Sequence, residues 1–351
     1  MKRRIVKIGN IKLGGNFPIV VKGMIKSPLE EERKVLREAQ KLKEEGAQIL
    51  RIAIEKESDL KLIEVLKKST ELPLEADIHF NYNLALLALE KNIDCLRLNP
   101  SNIYKRPQVR KIAKKAKENS IPIRVGVNSG GFRKRMSKDE LASAMVRRVF
   151  SYISLLEEED FKNILVSAKA DSCLSTILAN QILYKKLPYP INLGLTATGP
   201  LYEGLIKTSL SLGILIYQGI GQAIRVSLNT DSWEEVRVAY WILQSLGRGY
   251  FYPQIVSCPT CSRCKVNLRE KVEEFKENIY KNKDKLYNKN IKVALMGCMV
   301  NGPGEASSSD VGLAFGKKKA ILFKGGKIIR TIGEEDSLSS LLYFLKKEAR
   351  D

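Results

Sequence analysis

Over about the first 230 positions, short apolar blocks rich in β-branched residues alternate with longer stretches in which apolar side chains recur every three or four residues. The blocks are PIVVKGM (18–24), AQILRIAI (47–54), LPLEADI (72–78), DCLRLNP (94–100), IPIRVGV (121–127), NILVSAK (163–169), INLGLTAT (191–198) and AIRVSLN (223–229). Each has strand length, and amphipathic helical segments separate nearly all of them. Strands joined by helical crossovers call for a parallel sheet, and eight such units in about 230 residues are the size of a (β/α)8 TIM-type barrel. An open doubly wound sheet is the competing arrangement, but no G-x-G-x-x-G run follows the first strand. A hairpin-like opening, IVKIGNIKLGG (5–15), precedes the first unit.

Near residue 247 the pattern changes. After the helical stretch DSWEEVRVAYWILQSLG come RGYFYP, a strand running into clustered cysteines, and the helix NLREKVEEFKENIY, on which Leu268, Val272, Phe275 and Ile279 share a face. A strand IKVALMG, a hairpin around FKGGK and a closing helix SLSSLLYFLKKEA follow. The expected organisation is α/β: residues 1–247 form a TIM-type barrel, and residues 248–351 form a smaller α+β domain.

Composition adds little to the fold but narrows the function. Hydrophobic residues make up 44% and charged residues 28%, ordinary values for a globular chain. The basic opening is interrupted by Lys7, Gly9, Asn10 and Lys12, so no signal-peptide core is read there, and no run reaches bilayer-spanning length. A cytoplasmic protein is expected. The net charge of +21 invites a nucleic-acid reading, yet the cations are dispersed over amphipathic segments and aromatics are only 7%. A lysine-rich solvated surface and an acidic small-molecule substrate both account for it.

Chemistry in a barrel collects at the C-terminal ends of its strands. Those ends hold Arg51, Asp77 with His79, Arg97 with Asn99, Arg124 with Asn128, Lys169, Thr196, and Arg225 with Ser227. Five cations converging on one mouth beside apolar runs must each meet a partner. Barrel carboxylates such as Glu75 or Asp94 could serve, but a phosphate or diphosphate ligand is the economical partner for all five. His79, the only histidine, is a candidate acid, base or hydrogen-bond donor, with Asp77 either touching substrate or orienting it.

Of the six cysteines, Cys95 reads as core, and Cys173 opens an amphipathic helix with no further signal. Cys258, Cys261, Cys264 and Cys298 fall within the last hundred residues. Thiolates so placed suit zinc or an iron–sulfur cluster, with either Cys264 or Glu305 completing a set formed by Cys258, Cys261 and Cys298. Glu305 lies seven residues past Cys298, across a loop that Gly302-Pro303-Gly304 is expected to turn back on itself.

Taken together, EADIHFNYNLAL, DCLRLNPSNI, IPIRVGVNSG, GIGQAIRVSL, SCPTC and MGCMVNGPGEA resemble the 4-hydroxy-3-methylbut-2-enyl diphosphate synthase family of the non-mevalonate isoprenoid pathway, over nearly the whole chain. The resemblance implies a [4Fe–4S] cluster on Cys258, Cys261 and Cys298, with Glu305 as an exchangeable fourth ligand. It implies diphosphate binding by Arg51, Arg97, Arg124, Lys169 and Arg225, with Asn128, Thr196 and Ser227 as polar contacts. The implied reaction is reductive ring opening and dehydration of 2-C-methyl-D-erythritol 2,4-cyclodiphosphate, with electrons from ferredoxin or flavodoxin; Glu305, and from their strand-end position Asp77 and His79, are the catalytic candidates. Departures from the family pattern are Lys22-Gly23-Met24-Ile25 for Gln-Ser-Met-Thr, Ala197 for a glutamate, Gln222 for an aspartate, and Cys261-Ser262-Arg263-Cys264 for Cys-Gly-Arg-Thr. A paralogue acting on another diphosphate, and a zinc-stabilised nucleic-acid-binding barrel, are the competing functions.

Chain connectivity adds one expectation. The last barrel helix ends at the face opposite the mouth; a helix of about 13 residues descends roughly 20 Å, and a linker of about seven residues spans at most roughly 25 Å. A small domain folded back over its own mouth would have little slack. A head-to-tail homodimer in which each small domain caps its partner's barrel is therefore expected, as the resemblance also implies.

Overall fold

The computed structural model describes residues 3–132, 136–300 and 302–348. It divides into two compact units, Met1–Leu246 and Gly247–Asp351. Among the described residues no helix is long and apolar enough to cross a membrane.

The first unit opens with an antiparallel hairpin, β1 (Val6–Ile8) and β2 (Ile11–Leu13), closed by Gly9 at φ +56°. Eight parallel strands follow: β3 (Val20–Met24), β4 (Ile49–Ile54), β5 (Leu74–Ile78), β6 (Cys95–Leu98), β7 (Ile123–Asn128), β8 (Ile164–Lys169), β9 (Asn192–Leu193) and β10 (Ala223–Ile224). They pair in the order β8-β7-β6-β5-β4-β3-β10-β9. A parallel bridge between Val166 and Ile191 brings β8 and β9 together, so the sheet is a near-closed (β/α)8 TIM-type barrel.

Closure has a sequence cause. Along β5 and β6 both inward and outward positions are buried, because the strands face packed barrel contents on one side and helices on the other. Val6, Ile8 and Leu13 of the hairpin pack against Val20, Ile49, Cys95 and Ala223, each the first residue of its strand, and thereby plug the N-terminal end. The barrel opens only at the other end.

The last two strands are shorter than the apolar blocks 191–198 and 223–229 predict, each contributing a two-residue ladder. Where β9 would continue, Gly194 lies against the Lys169 side chain and the Arg225 carbonyl, and a Cβ there would come within 2.4 and 2.5 Å of them. The buried lysine takes the space in which a regular strand would have put a side chain. Gln222, at the start of the same seam, accepts from the Ile191 backbone at 2.9 Å and so joins the two short strands.

The second unit is a five-stranded sheet in sequential order: β11 (Gln254–Ser257), β12 (Lys292–Met296) and β13 (Val311–Gly316) are parallel, and β14 (Lys319–Lys324) and β15 (Lys327–Gly333) add an antiparallel hairpin. Helices Leu268–Tyr280 and Ser337–Glu348 cover one face, where Phe275, Ile279 and Leu341 pack on Val293, Leu295 and Leu313. Strand β13 is absent from the sequence reading. All six of its residues are buried, so VGLAFG shows no alternation to mark it.

On the opposite face a single helical turn, Gly302–Glu305, contacts Met296 and Ala314. The expected Gly-Pro-Gly reversal is thus a helical turn, closed by the Ala306 amide donating to the Gly302 carbonyl at 3.1 Å; Asn301, just before it, lies outside the described residues. The turn can approach because Gly302 has no side chain: a Cβ there would meet the Ala314 Cβ at 2.7 Å and the Met296 Cβ at 3.0 Å. Gly302→Ala is expected to cost ~1–3 kcal/mol through overpacking, read as a lower urea midpoint of the full-length chain. Gly304→Ala, whose Cβ would meet nothing within 4 Å, should leave the midpoint in place.

Candidate functional site

The barrel interior holds a charge network built on two carboxylates of β5. Glu75 is fully buried. It accepts from Lys22 Nζ at 2.7 Å and from Arg124 Nε at 3.0 Å and Nη2, and Arg51 Nε lies 3.6 Å away. Asp77, two residues on and facing the same interior, accepts from Arg97 Nη1 at 2.8 Å and from Arg51 Nη2. Burial alone would raise both carboxyls. Arg124, Lys22 and Arg51 nevertheless hold Glu75 well below the usual carboxylate range, and Arg51, His79 and Arg97 do the same for Asp77.

Two cations stand outside this compensation. Lys169, the last residue of β8, is buried, and its Nζ has no hydrogen-bond partner among the described residues. Burial, then the fields of Arg225, Arg124 and Arg51, press its pKa well below the ordinary lysine value. Arg225 follows β10; it donates to the Ser227 hydroxyl, lies 3.7 Å from Glu235, and is lowered by burial to about 10. Glu235 is itself held, accepting from the Leu228 amide at 2.7 Å and pairing with Lys26 at 2.8 Å. Positive charge therefore exceeds negative in a desolvated space, the condition under which an anion binds strongly.

The remaining predicted residues line the open end. Asn128 ends β7, in register with Lys169. The Thr196 amide donates to the Ala170 carbonyl at 3.2 Å, and its side chain is half-buried. Asn99 is buried and accepts from the Ser101 amide. His79 keeps 39% of its side chain exposed. Its Nε2 lies 2.8 Å from Arg97 Nη1 and 3.3 Å from Asp77 Oδ2, and its Nδ1 lies 2.7 Å from the Asn102 amide.

The structure corrects one placement and adds partners that strand-end reading missed. Arg124 is the second of six residues in β7, deep in the barrel rather than at its rim, and its guanidinium is spent on Glu75 and the Ser167 hydroxyl. Arg97 is buried beside it, in the same register layer as Asp77. Glu235 gave no signal, since it looks in sequence like one more charged residue beside an apolar run, and Lys22 stood out only as a departure from the family pattern. Asp94 lies away from this network, pairing with Lys67.

In the second unit, Cys258, Cys261, Cys298 and Glu305 line one cavity of about 160 Å³, together with Arg263 and Met296. Cys258 follows the end of β11, Cys298 follows β12, and Glu305 ends the helical turn. Thr260 sits at φ +68°, unusual for a β-branched residue, in the tight turn between Cys258 and Cys261. The Gly297 amide donates to Cys258 Sγ at 3.3 Å. Cys264 is different: its thiol donates to the Val266 carbonyl at 3.2 Å, and it packs against the helix-covered core and beneath Gly297, outside the cavity lining. Among the described residues no three Cys, His, Asp or Glu side chains converge tightly enough for a single metal ion. The cavity wall offers three thiols and a carboxylate around a space larger than one ion, a donor set that fits a metal–sulfide cluster.

Residues 3–240 match the family model described as the GcpE TIM-barrel domain, and residues 254–347 match the GcpE protein C-terminal domain. A relative from Thermodesulfovibrio yellowstonii, named 4-hydroxy-3-methylbut-2-en-1-yl diphosphate synthase (flavodoxin), is 39% identical over 98% of this chain and 98% of its own. One of the same name from Ruminiclostridium cellulolyticum is 41% identical over 96% and 95%. Among solved structures, a dihydropteroate synthase from Stenotrophomonas maltophilia superposes with a TM-score of 0.53 at 14% identity, over 69% of this chain and 98% of that one. One from Xanthomonas albilineans gives 0.52 at 16% identity over 70% and 99%; at such identities the likeness concerns the barrel fold alone. With both family models matched in chain order and relatives aligned nearly end to end, the chain belongs to the GcpE family.

Proposed function

We propose that the chain catalyses the reductive ring opening and dehydration of 2-C-methyl-D-erythritol 2,4-cyclodiphosphate to (E)-4-hydroxy-3-methylbut-2-enyl diphosphate, an oxidoreductase step of isoprenoid biosynthesis taking two electrons from flavodoxin. The reaction consumes two electrons and two protons, breaks a carbon–oxygen bond to the cyclic diphosphate and releases one water. The observation that carries the reading is the single cavity lined by Cys258, Cys261, Cys298 and Glu305, with Cys264 outside its lining. These four residues would hold a [4Fe–4S] cluster, the three cysteines as permanent ligands and Glu305 as the exchangeable one, and the cluster would supply the electrons.

The barrel supplies the anion site. Lys169 and Arg225 are the direct diphosphate ligands, aided by Arg51, Asn128, Thr196 and Ser227 at the open end. Arg97 and Arg124, already bound to Asp77, Glu75 and Ser167, contribute their field from below. Asp77 positions Arg51 and Arg97, and His79 presents its exposed edge to the substrate. In the same reading two chains share each site, the cluster domain of one serving the barrel of its partner, as the short linker after the last barrel helix favours.

Anaerobic incubation of the reduced protein with the cyclodiphosphate, followed by product identification, tests the reaction; absence of the allylic diphosphate would refute it. Cys298→Ala is expected to lose most cluster iron and sulfide, whereas Cys264→Ala keeps both. Glu305→Ala should retain most iron while losing turnover, separating a ligand to an exchangeable site from a structural acid.

Lys169 gives a pH-dependent signature. Folded and unliganded, it binds protons less readily than in the unfolded chain, so it destabilises the fold most at low pH, and that cost fades as pH rises toward the ordinary lysine pKa. Lys169→Met should raise the melting temperature of the unliganded protein at pH 7, by a margin that narrows in more alkaline buffer. It should weaken pyrophosphate binding by roughly 10- to 100-fold, the loss of one charge-assisted hydrogen bond. In buffer just below the ordinary lysine pKa, pyrophosphate binding to the unaltered protein should take up protons, seen in calorimetry as a dependence on buffer ionisation enthalpy.

A further inference from the structure

Among the four cysteines of the second unit, Cys264 alone has no part in the proposed reaction. It does not line the cavity, and the resemblance leads to a threonine at its position, so cluster binding does not call for it. Yet it stands close to one of the ligands. A Cβ built on Gly297 would lie 2.5 Å from Cys264 Sγ and 3.5 Å from Cys258 Sγ, so at most about 6 Å separates the two sulfurs. Gly297 puts no side chain beside them. The Lys265 amide, donating to the Gly297 carbonyl at 3.0 Å, ties the Cys264 turn to the end of β12, and both cysteines pack on the same helix-covered core.

The contacts that hold the two sulfurs are readily exchanged. Cys258 Sγ accepts from the Gly297 amide at 3.3 Å, and the Cys264 thiol donates to the Val266 carbonyl at 3.2 Å. Sulfur is a weak partner in either role. A disulfide needs the sulfurs about 2.05 Å apart. Turning one side chain between staggered positions moves its sulfur by about 3 Å, so turning both covers the distance.

We propose that Cys264 is the resolving thiol of a protective disulfide with Cys258 in the cluster-free chain, the oxidant being hydrogen peroxide. Cys258, on the cavity wall, meets the oxidant first. Its Sγ attacks one peroxide oxygen, the O–O bond breaks, and Cys258 sulfenic acid and one water form. Cys264 Sγ then attacks the Cys258 sulfur; the S–O bond breaks, and the hydroxyl leaves with the thiol proton as a second water. Two thiols are thereby oxidised to one disulfide and the peroxide is reduced to two waters. A sulfenic acid with no thiol in reach proceeds to sulfinic and sulfonic acids, which a dithiol does not reverse, whereas the disulfide returns to two thiols by exchange. The pair keeps a cluster ligand recoverable. With a cluster in place Cys258 has no sulfur to offer and Cys264 stays a thiol; that corollary rests on the reading above, while the disulfide itself does not.

The test adds hydrogen peroxide in slight excess to the cluster-free full-length chain, alkylates the remaining thiols and maps the peptides by mass spectrometry. A linkage between Cys258 and Cys264 that dithiothreitol removes is expected. Cys264 recovered as the alkylated thiol, or Cys258 joined instead to Cys261 or Cys298, overturns the proposal. In Cys264→Ala the same treatment should leave sulfinic or sulfonic acid at Cys258. After dithiothreitol that variant should rebuild several-fold less cluster from ferrous iron and sulfide than its own untreated sample, while the unaltered protein rebuilds nearly all. Equal recovery in the two proteins overturns the protective role. Should Cys264→Ala misfold, Cys261→Ala decides, since it leaves both sulfurs in place: the linkage to Cys264 should still form, and its absence overturns the pair. The cluster-loaded chain separates the two readings. Cys264 that stays open to alkylation there agrees with Cys258 as a ligand, whereas the linkage forming with the cluster intact leaves the thiol pair standing and refutes Cys258 as a ligand.

Discussion

Glu75 is the constraint on which the barrel depends. A carboxylate fully removed from water at the centre of a parallel barrel is tolerable only because Lys22, Arg124 and Arg51 surround it. Once those cations are drawn in, Asp77 must hold Arg97 and the other side of Arg51. Removing one partner of such a buried set leaves an uncompensated charge, typically at ~3–5 kcal/mol. The network is thus an all-or-none arrangement, and it fixes the orientation of the Arg51, Arg97 and Arg124 guanidiniums. Its charge balance stops short of Lys169 and Arg225, and the proposed anion site rests on that surplus.

Lys22 changes this balance in a way the family pattern does not require. Where the resemblance leads to the expectation of a glutamine, this chain places the Lys22 ammonium 2.7 Å from Glu75. The carboxylate is then shared among more cations, which leaves the arginine field above it stronger. Ala197, at φ +50°, replaces a carboxylate with a methyl. Lys22 makes the interior more positive, which suits a diphosphate rather than opposing one, whereas Ala197 lies exposed. Gln222, the third departure, has a local role at the seam between β9 and β10.

The small unit solves a separate problem, that of bringing donors distant in sequence to one cavity wall. The ends of β11 and β12 deliver Cys258 and Cys298 because those strands are adjacent and parallel, so their C-terminal ends emerge together. Glu305 joins them because Gly302 lets a helical turn settle on Met296 and Ala314. Cys264, three residues after Cys261, would have seemed as good a ligand. The chain turns it against Val266 and the core instead.

The alternation of apolar blocks with amphipathic stretches determined the barrel, its eight strands, the opening hairpin and the change of pattern near residue 247, since each is a local periodicity imposed by burial on one side or both. Residue chemistry likewise gathered Arg51, Arg97, Arg124, Lys169 and Arg225 as candidate partners of an anion and Cys258, Cys261 and Cys298 as candidate ligands. Only the tertiary structure decided the rest. It placed Arg124 deep instead of at the rim, recruited Lys22 to Glu75, shortened β9 and β10 around a buried lysine, added the wholly buried β13, and chose Glu305 over Cys264 for the cavity wall. Those outcomes depend on which side chains from distant strands compete for the same desolvated space, and no periodicity along one strand records the charge or volume of its neighbours.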